Sequence, residues 1–214
     1  GIPLDQISTS FTINAITPII LAMYVAVGEK QGVSPDKLTG VVQNDILKEY
    51  VSRGAFIFPV GPAMRMIGDV VEYCAKEMPR FNPVSICGYH IREGGATAVQ
   101  EIAICFANAI AYIENALQRG LSIDAFAPRL SFNLAAFMDL FEEVAKFRAA
   151  RRLWARLLRD RFGAQDPRSW RFTWFAGTAG STFTARQPEN NIIRATIETL
   201  AIVLGGCQAL TVNT

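Results

Sequence analysis

The chain alternates between short β-rich runs and longer helical ones, and that alternation leaves it few folds. Strand-like segments lie near residues 7–14, 40–43, 84–89, 129–132, 171–177 and 207–213. Helical patterns occupy about 18–31, 63–78, 97–119, 136–161 and 191–204. Pro79, Gly120 and Gly205-Gly206 stop three of these helices. Strands separated by helices at this spacing form parallel βαβ units. No low-complexity stretch or linker divides the chain, so its length of 214 residues reads as one α/β domain. A doubly wound sheet is one architecture of this kind, but no glycine-rich phosphate fingerprint follows the first strand.

Half the residues are hydrophobic and 19% are charged, enough apolar material for a large core. A net charge of +2 points to neither a nucleic-acid footprint nor a strongly acidic partner. The four cysteines, Cys74, Cys87, Cys105 and Cys207, form no CxxC pair and read as reduced thiols of an intracellular protein. The most apolar run, 16–27, is too short to span a bilayer and is expected to be a buried helix, with Thr17-Pro18 at its start and Gly32 at its end. The chain starts at Gly1 and stops on a strand-like segment, which reads as an internal piece of a larger protein.

Chemistry concentrates in Val84-Ser85-Ile86-Cys87-Gly88-Tyr89-His90, followed by Ile91-Arg92-Glu93-Gly94-Gly95. A β-rich run ends in Tyr-His, a charged glycine-rich turn follows, and a helix is expected from near Thr97. His90 is the single histidine. Polar residues at the C-terminal ends of parallel barrel strands read as catalytic; a hydrogen-bonded structural histidine is the alternative. Ser8, Ser10 and Thr12 alternate on one face of the first strand, Ser85 and Cys87 alternate on the third, and Ser131 lies on the fourth. If that face points inward, small polar residues replace the branched aliphatics that normally fill a barrel, leaving room along its axis.

Gly88-Tyr89-His90-Ile91-Arg92-Glu93-Gly94-Gly95 resembles the substrate-binding signature of the methylmalonyl-CoA mutase large-subunit family and its adenosylcobalamin-dependent acyl-CoA mutase relatives. Gln43-Asn44-Asp45-Ile46-Leu47-Lys48-Glu49-Tyr50, Ala127-Pro128-Arg129-Leu130-Ser131-Phe132, the arginine-rich run beginning Phe147-Arg148 and Gln187-Pro188-Glu189-Asn190-Asn191 match in the same order, over residues 1–214. The resemblance implies a (β/α)₈ TIM barrel of which this chain supplies about six strands, with coenzyme A threading the axis. With two strands missing, the piece is expected to be incomplete as a folding unit and inactive by itself.

The implied activity is isomerase chemistry: a radical 1,2-rearrangement of an acyl-CoA, most like methylmalonyl-CoA/succinyl-CoA interconversion. By resemblance, His90 would hydrogen-bond the thioester carbonyl, and Tyr89 would press on the substrate and adenosyl group. Glu93 would contact the adenosyl ribose, and Gln43 the thioester region. Arg53 would pair with the free carboxylate of the substrate, where relatives acting on uncharged acyl groups carry glutamine. Arg129 would contact coenzyme A, with Ser10, Thr12, Asn82, Ser131 and Gln208 as further contacts. Adenosylcobalamin is the implied cofactor, but its Asp-x-His-x-x-Gly module cannot occur in a chain whose one histidine is His90. A cobalamin-binding domain or subunit is therefore an expected partner, a dimer the expected assembly, and cytoplasm or mitochondrial matrix the expected location, with neither nucleic acid nor membrane as partner. Arg151, Arg152, Arg156 and Arg159, interleaved with Leu153, Trp154, Leu157 and Leu158, read as the solvated or interdomain face of an amphipathic helix.

The sequence departs from the family pattern in several places. Phe175 stands where methylmalonyl-CoA mutases have histidine, Gly177 where they have glutamine, Thr211-Val212 where they have His-Thr, and Asn133 where they have an aromatic residue. Two other readings follow from these changes: a mutase for another acyl-CoA (isobutyryl-, hydroxyisobutyryl- or ethylmalonyl-type), or a catalytically silent barrel subunit. The silent reading is disfavoured because Tyr89, His90 and Arg53 are all present.

Overall fold

A computed structural model describes residues 1–213. The chain runs through β1 (Ser8–Phe11), α1 (Thr17–Lys30), β2 (Thr39–Val42) and α2 (Ile46–Lys48), which passes into a π-helical turn, Glu49–Arg53. It continues through α3 (Val60–Glu77), β3 (Phe81–Asn82), β4 (Ser85–Cys87), α4 (Tyr89–Glu93), α5 (Ala98–Gln118) and α6 (Ile123–Phe126). After a 3₁₀ turn, Ala127–Arg129, come β5 (Ser131–Ala136), α7 (Leu140–Arg156), β6 (Trp174–Thr178), α8 (Asn190–Gly205) and β7 (Ala209–Thr211).

The strands form two parallel sheets in chain order, β1-β2-β3 and β4-β5-β6-β7. β3 and β4 are one extended run interrupted at Pro83, which has no N–H for a ladder. The Ser85 N–H donates to the Gln43 carbonyl at 2.9 Å, linking the end of β2 to the second sheet. Each sheet has its own apolar centre. Tyr24, Leu38, Phe81 and Met78 pack under the first, while Phe132, Phe172, Trp154 and Trp174 anchor the larger core under the second. Phe147 stacks on Trp174 with ring centroids 4.3 Å apart.

The expected helix boundaries hold to within a few residues, and the physical stops are visible. Thr97 caps α5 with a reciprocal capping box to Gln100. At the end of α1, Gly32 takes a φ of +73°, and the Val33 N–H reaches back to the Gly28 carbonyl.

Four sequence expectations are corrected. α1 is not buried all round: Leu21, Tyr24 and Gly28 face the sheet, whereas Ile19, Met23 and Val27 lie exposed on the opposite face. Thr17 is its first helical residue and not its cap. The strand expected to reach residue 89 stops at Cys87, and Tyr89-His90 begin a helical turn. The fourth strand starts two residues later than expected and runs on to Ala136, leaving Arg129 in the turn before it.

Gly40 sets the spacing of β1 and β2. A Cβ there would lie 2.3 Å from the Thr9 carbonyl oxygen and 2.7 Å from the Phe81 ring. Because a strand backbone cannot yield as a flexible side chain does, Gly40→Ala is expected to destabilise the fold by about 1–3 kcal/mol, the range for overpacking. Chemical denaturation of both proteins checks this; equal midpoints would show that the two strands separate freely.

Candidate functional site

Parallel strands place the residues that follow each strand on one rim. Gln43 follows β2, Tyr89 and His90 follow β4, and the turn Gly180–Thr182 follows β6. Below that rim, Ser10, Thr12, Gln43, Asn82, Ser131 and Gln208 line one cavity of about 330 Å³, together with Ser85, Trp174 and Phe175. Six residues expected to face a ligand thus share one space, contributed by both sheets. Gln208 also ties β6 to the start of β7, its Oε1 accepting from the Trp174 N–H at 2.8 Å.

Arg129 is elsewhere. It is exposed in the turn before β5, at the N-terminal end of the strands, beside a separate small cavity formed with Phe81, Pro83 and Phe126. Arg129 and Tyr89 therefore lie at opposite ends of the strands, because residues before and after parallel strands do.

The turn after β2 is tightly built. Asn44 adopts a φ of +45° and donates through Nδ2 to the Pro83 carbonyl at 3.0 Å; asparagine tolerates this left-handed conformation better than most side chains. Asp45 is fully buried, accepting from the Tyr112 hydroxyl at 2.5 Å and the Cys87 N–H at 2.6 Å. Burial outweighs these bonds and raises its pKa to about 6. Lys48 and Glu49, both buried, form an ion pair with each other, and Lys48 also donates to Gln43 Oε1 at 2.7 Å. Arg53 ends the same π-helical turn, 3.5 Å from the Glu49 carboxylate, with nearly half of its side chain exposed.

Tyr89 leans toward β6 and β7. Its hydroxyl donates to the Thr178 carbonyl at 3.3 Å and accepts from Asn213 Nδ2 at 3.0 Å. Gly177 makes room for it: a Cβ at that position would come 3.0 Å from the Tyr89 ring. Glu93 holds Ser181, accepting from its N–H at 3.0 Å and its hydroxyl at 3.1 Å. The ring of His90 packs edge-on to that of Tyr89, and its Nδ1 is buried without a hydrogen-bond partner. The hydrogen-bonded structural histidine is therefore not what the fold presents. Burial, then the charges of Lys48 and Arg53, lower the His90 pKa to about 4.

Sequence reasoning assigned no role to Asn14, Asp45, Lys48, Glu49, Tyr112 or Glu198. Asp45, Lys48 and Glu49 did carry a signal, as three ionisable residues around the apolar pair Ile46-Leu47. Glu198 carried none; buried on α8, it accepts from the Ala179 N–H and the Thr182 hydroxyl, and burial raises its pKa to about 7.

Parallel strand–helix units, with a cavity between the sheets lined by hydroxyl, amide and aromatic side chains and a Tyr-His pair on the rim, define an α/β domain organised around a ligand-sized space. The family model described as methylmalonyl-CoA mutase matches residues 1–214, and the chain belongs to that family. It is 51% identical over 212 residues to a methylmalonyl-CoA mutase of Escherichia coli, covering 99% of this chain and 30% of that protein. It is 47% identical over 212 residues to the 2-hydroxyisobutanoyl-CoA mutase large subunit of Aquincola tertiaricarbonis, covering 99% of this chain and 38% of the relative. With the human mitochondrial methylmalonyl-CoA mutase it shares 46% identity over 213 residues, 100% of this chain and 28% of the human protein. The chain thus spans between a quarter and two-fifths of the length of these relatives. Among the described residues no helix is long and apolar enough to cross a membrane.

The single histidine makes the electrostatics of the rim directly measurable. A ring with its pKa lowered to about 4 stays neutral from pH 8 down to pH 5. Its NMR resonances are expected to remain unshifted over that range and to move only near pH 4; a midpoint near the ordinary 6.5 would mean that the ring is solvated.

Proposed function

We propose that this chain is part of the catalytic barrel of an adenosylcobalamin-dependent acyl-CoA mutase, most like the enzymes that interconvert methylmalonyl-CoA and succinyl-CoA. The carrying observation is the single cavity lined by Ser10, Thr12, Gln43, Asn82, Ser131 and Gln208 beneath Tyr89 and His90. Strand order and the β2–β4 link support six consecutive strands of a (β/α)₈ barrel. The axial cavity then takes the pantetheine arm of coenzyme A. Arg129, exposed at the opposite end, suits its phosphates, since a guanidinium binds them with paired donors.

The acyl group lies at the C-terminal rim. His90 is neutral, so it offers one ring N–H as a donor and does not act as an acid at pH 7. Placed against the thioester carbonyl, it stabilises negative charge that develops on the oxygen as the group migrates. Its buried, unpartnered Nδ1 and the unpartnered Oδ1 of Asn133 mark polar positions that the protein alone leaves unsatisfied. Tyr89 closes over the reacting carbons and excludes water.

The residues present fit the adenosyl side of the cofactor. Gly177 keeps Tyr89 in place, and the acceptor-only carboxylate of Glu93 suits ribose hydroxyls. They do not supply a lower cobalt ligand, because the one histidine sits on the thioester side and no group of three metal-ligating side chains forms among the described residues. A further domain or a separate subunit carries that module, and a dimer in the cytoplasm or mitochondrial matrix is the assembly proposed. When bound, adenosylcobalamin supplies the radical chemistry of the 1,2-rearrangement.

A second substrate reading has its own support. Phe175 lines the cavity and makes it more apolar, which suits an uncharged acyl group. Arg53 favours the carboxylated one, and its charge already neighbours the rim.

The test is turnover by the complete, cobalamin-loaded enzyme with carboxylated and neutral acyl-CoA esters. His90→Ala is expected to slow rearrangement by about 10²-fold or more while changing acyl-CoA binding less; unchanged turnover would remove His90 from the mechanism. Arg53→Gln is expected to weaken methylmalonyl-CoA by about 1 kcal/mol, the scale for a half-exposed charge pair screened by water, and neutral esters by less. Competition between the two esters decides it, and equal losses for both would mean that Arg53 does not read the carboxylate.

A further inference from the structure

We propose that Lys48 and Asn14 are positioning residues, fixing the Gln43 side chain so that it shows only its NH₂ group to the cavity. On the acyl-CoA function proposed above, on which this inference rests, that makes the position selective for a carbonyl oxygen of the ligand. The observation is a chain of hydrogen bonds whose direction is settled by groups that can only donate.

The Lys48 ammonium has three donors and no acceptor. It lies 2.7 Å from the Gln43 oxygen Oε1. Rotating the amide by half a turn would set NH₂ against NH₃⁺, so the carbonyl must face Lys48. Asn14 reinforces the choice: its Nδ2 donates to the same Oε1 at 2.9 Å and to the Glu49 carboxylate at 2.8 Å. The orientation of Asn14 is fixed in turn, because its Oδ1 accepts from the Asp45 backbone N–H at 3.0 Å. A backbone N–H, like an ammonium, cannot reverse.

Both acceptor positions of the Gln43 oxygen are therefore filled from within the protein. Among the described residues, no hydrogen bond is made by its Nε2, and the side chain lines the axial cavity. An unrestrained glutamine accepts as readily as it donates. Held in this way, Gln43 accepts nothing from a ligand and donates only. The pairing of Lys48 with Glu49 keeps the positive charge from being left uncompensated in the interior.

Coenzyme A esters carry carbonyl oxygens at the thioester and in the pantetheine arm, and either answers to a donor at this point. Binding to the complete enzyme, measured by calorimetry with an acyl-CoA and with its thioether analogue lacking the thioester oxygen, tells them apart. Removing Lys48 alone would strand the Glu49 carboxylate, so the variant is Lys48→Met combined with Glu49→Gln, which removes both charges. In the native background, Gln43→Leu is expected to weaken acyl-CoA binding about 3–10-fold, the scale of one net hydrogen bond. In the paired variant the same substitution is expected to have under a third of that effect, because a free amide no longer holds its donor toward the ligand. A structural role for Lys48 alone would leave the effect of Gln43→Leu undiminished. Asn14→Leu, at a half-buried position, gives a second cycle with a smaller loss of coupling should the paired variant not fold.

Coupling confined to the thioester supports a thioester acceptor, and equal coupling for both ligands supports an acceptor in the pantetheine arm. Additive effects in both cycles would overturn the positioning role while leaving the function intact. Failure of the native enzyme to bind either ligand would overturn the acyl-CoA function itself, and this inference with it.

Discussion

A buried lysine governs the C-terminal rim. Taking an ammonium out of water is costly, and the attraction of a counter-charge offsets that cost only where the remaining donors are also satisfied. Lys48 has its counter-charge in Glu49 and a second acceptor in Gln43, and neither partner stands alone. Glu49 also holds Asn14 and lies 3.5 Å from Arg53. The same turn supports Asp45, which ties α5 to β4 through Tyr112 and the Cys87 N–H. One short segment after β2 thereby joins both sheets, orients an amide toward the cavity and adds positive potential at His90. Arg53 is thus already paired within the same turn.

The opposite side of the rim is organised around the missing side chain at Gly177. Tyr89 occupies the space that a Cβ there would contest, and the turn after β6 holds it through the Thr178 carbonyl and the Gly180 N–H. Glu93 grips the same turn at Ser181, while Glu198 supports it from α8. The departure from the family's glutamine is thus not an isolated loss of a polar group, because the glycine and the tyrosine position form one arrangement. Phe175, two residues earlier and on the cavity side, changes the polarity of the space and leaves the Tyr89–His90 contact intact. An exposed guanidinium at Arg53 and an apolar wall at Phe175 are thus the two contrasting features beside the cavity.

Much of this was legible from the residues. Helix ends were marked by glycines whose positive φ the fold uses, and the capping box at Thr97 was readable as Thr-x-x-Gln. The alternation of Ser10 with Thr12 at the end of β1, and the places of Ser85 and Ser131, foretold small polar side chains in the space between the sheets. The short turns were not legible. Tyr89–Glu93 and Ile46–Arg53 are too brief for a periodic signal, and their helicity follows from the way each strand is received by the elements above it.

The sequence by itself determined the parallel strand–helix order and the residue types facing the cavity, since period and spacing are local properties that survive without knowledge of contacts, and its motifs carried the family resemblance. Tertiary structure alone decided which end of the strands Arg129 occupies, that the outer face of α1 is exposed, and that His90 is neutral with an unpartnered nitrogen. It also decided that Lys48, ordinarily a surface residue, is buried between Gln43 and Glu49. Burial and charge pairing join residues distant in the chain, as Asn14 joins Glu49 and Tyr89 joins Asn213, and no local pattern records which partner each will meet.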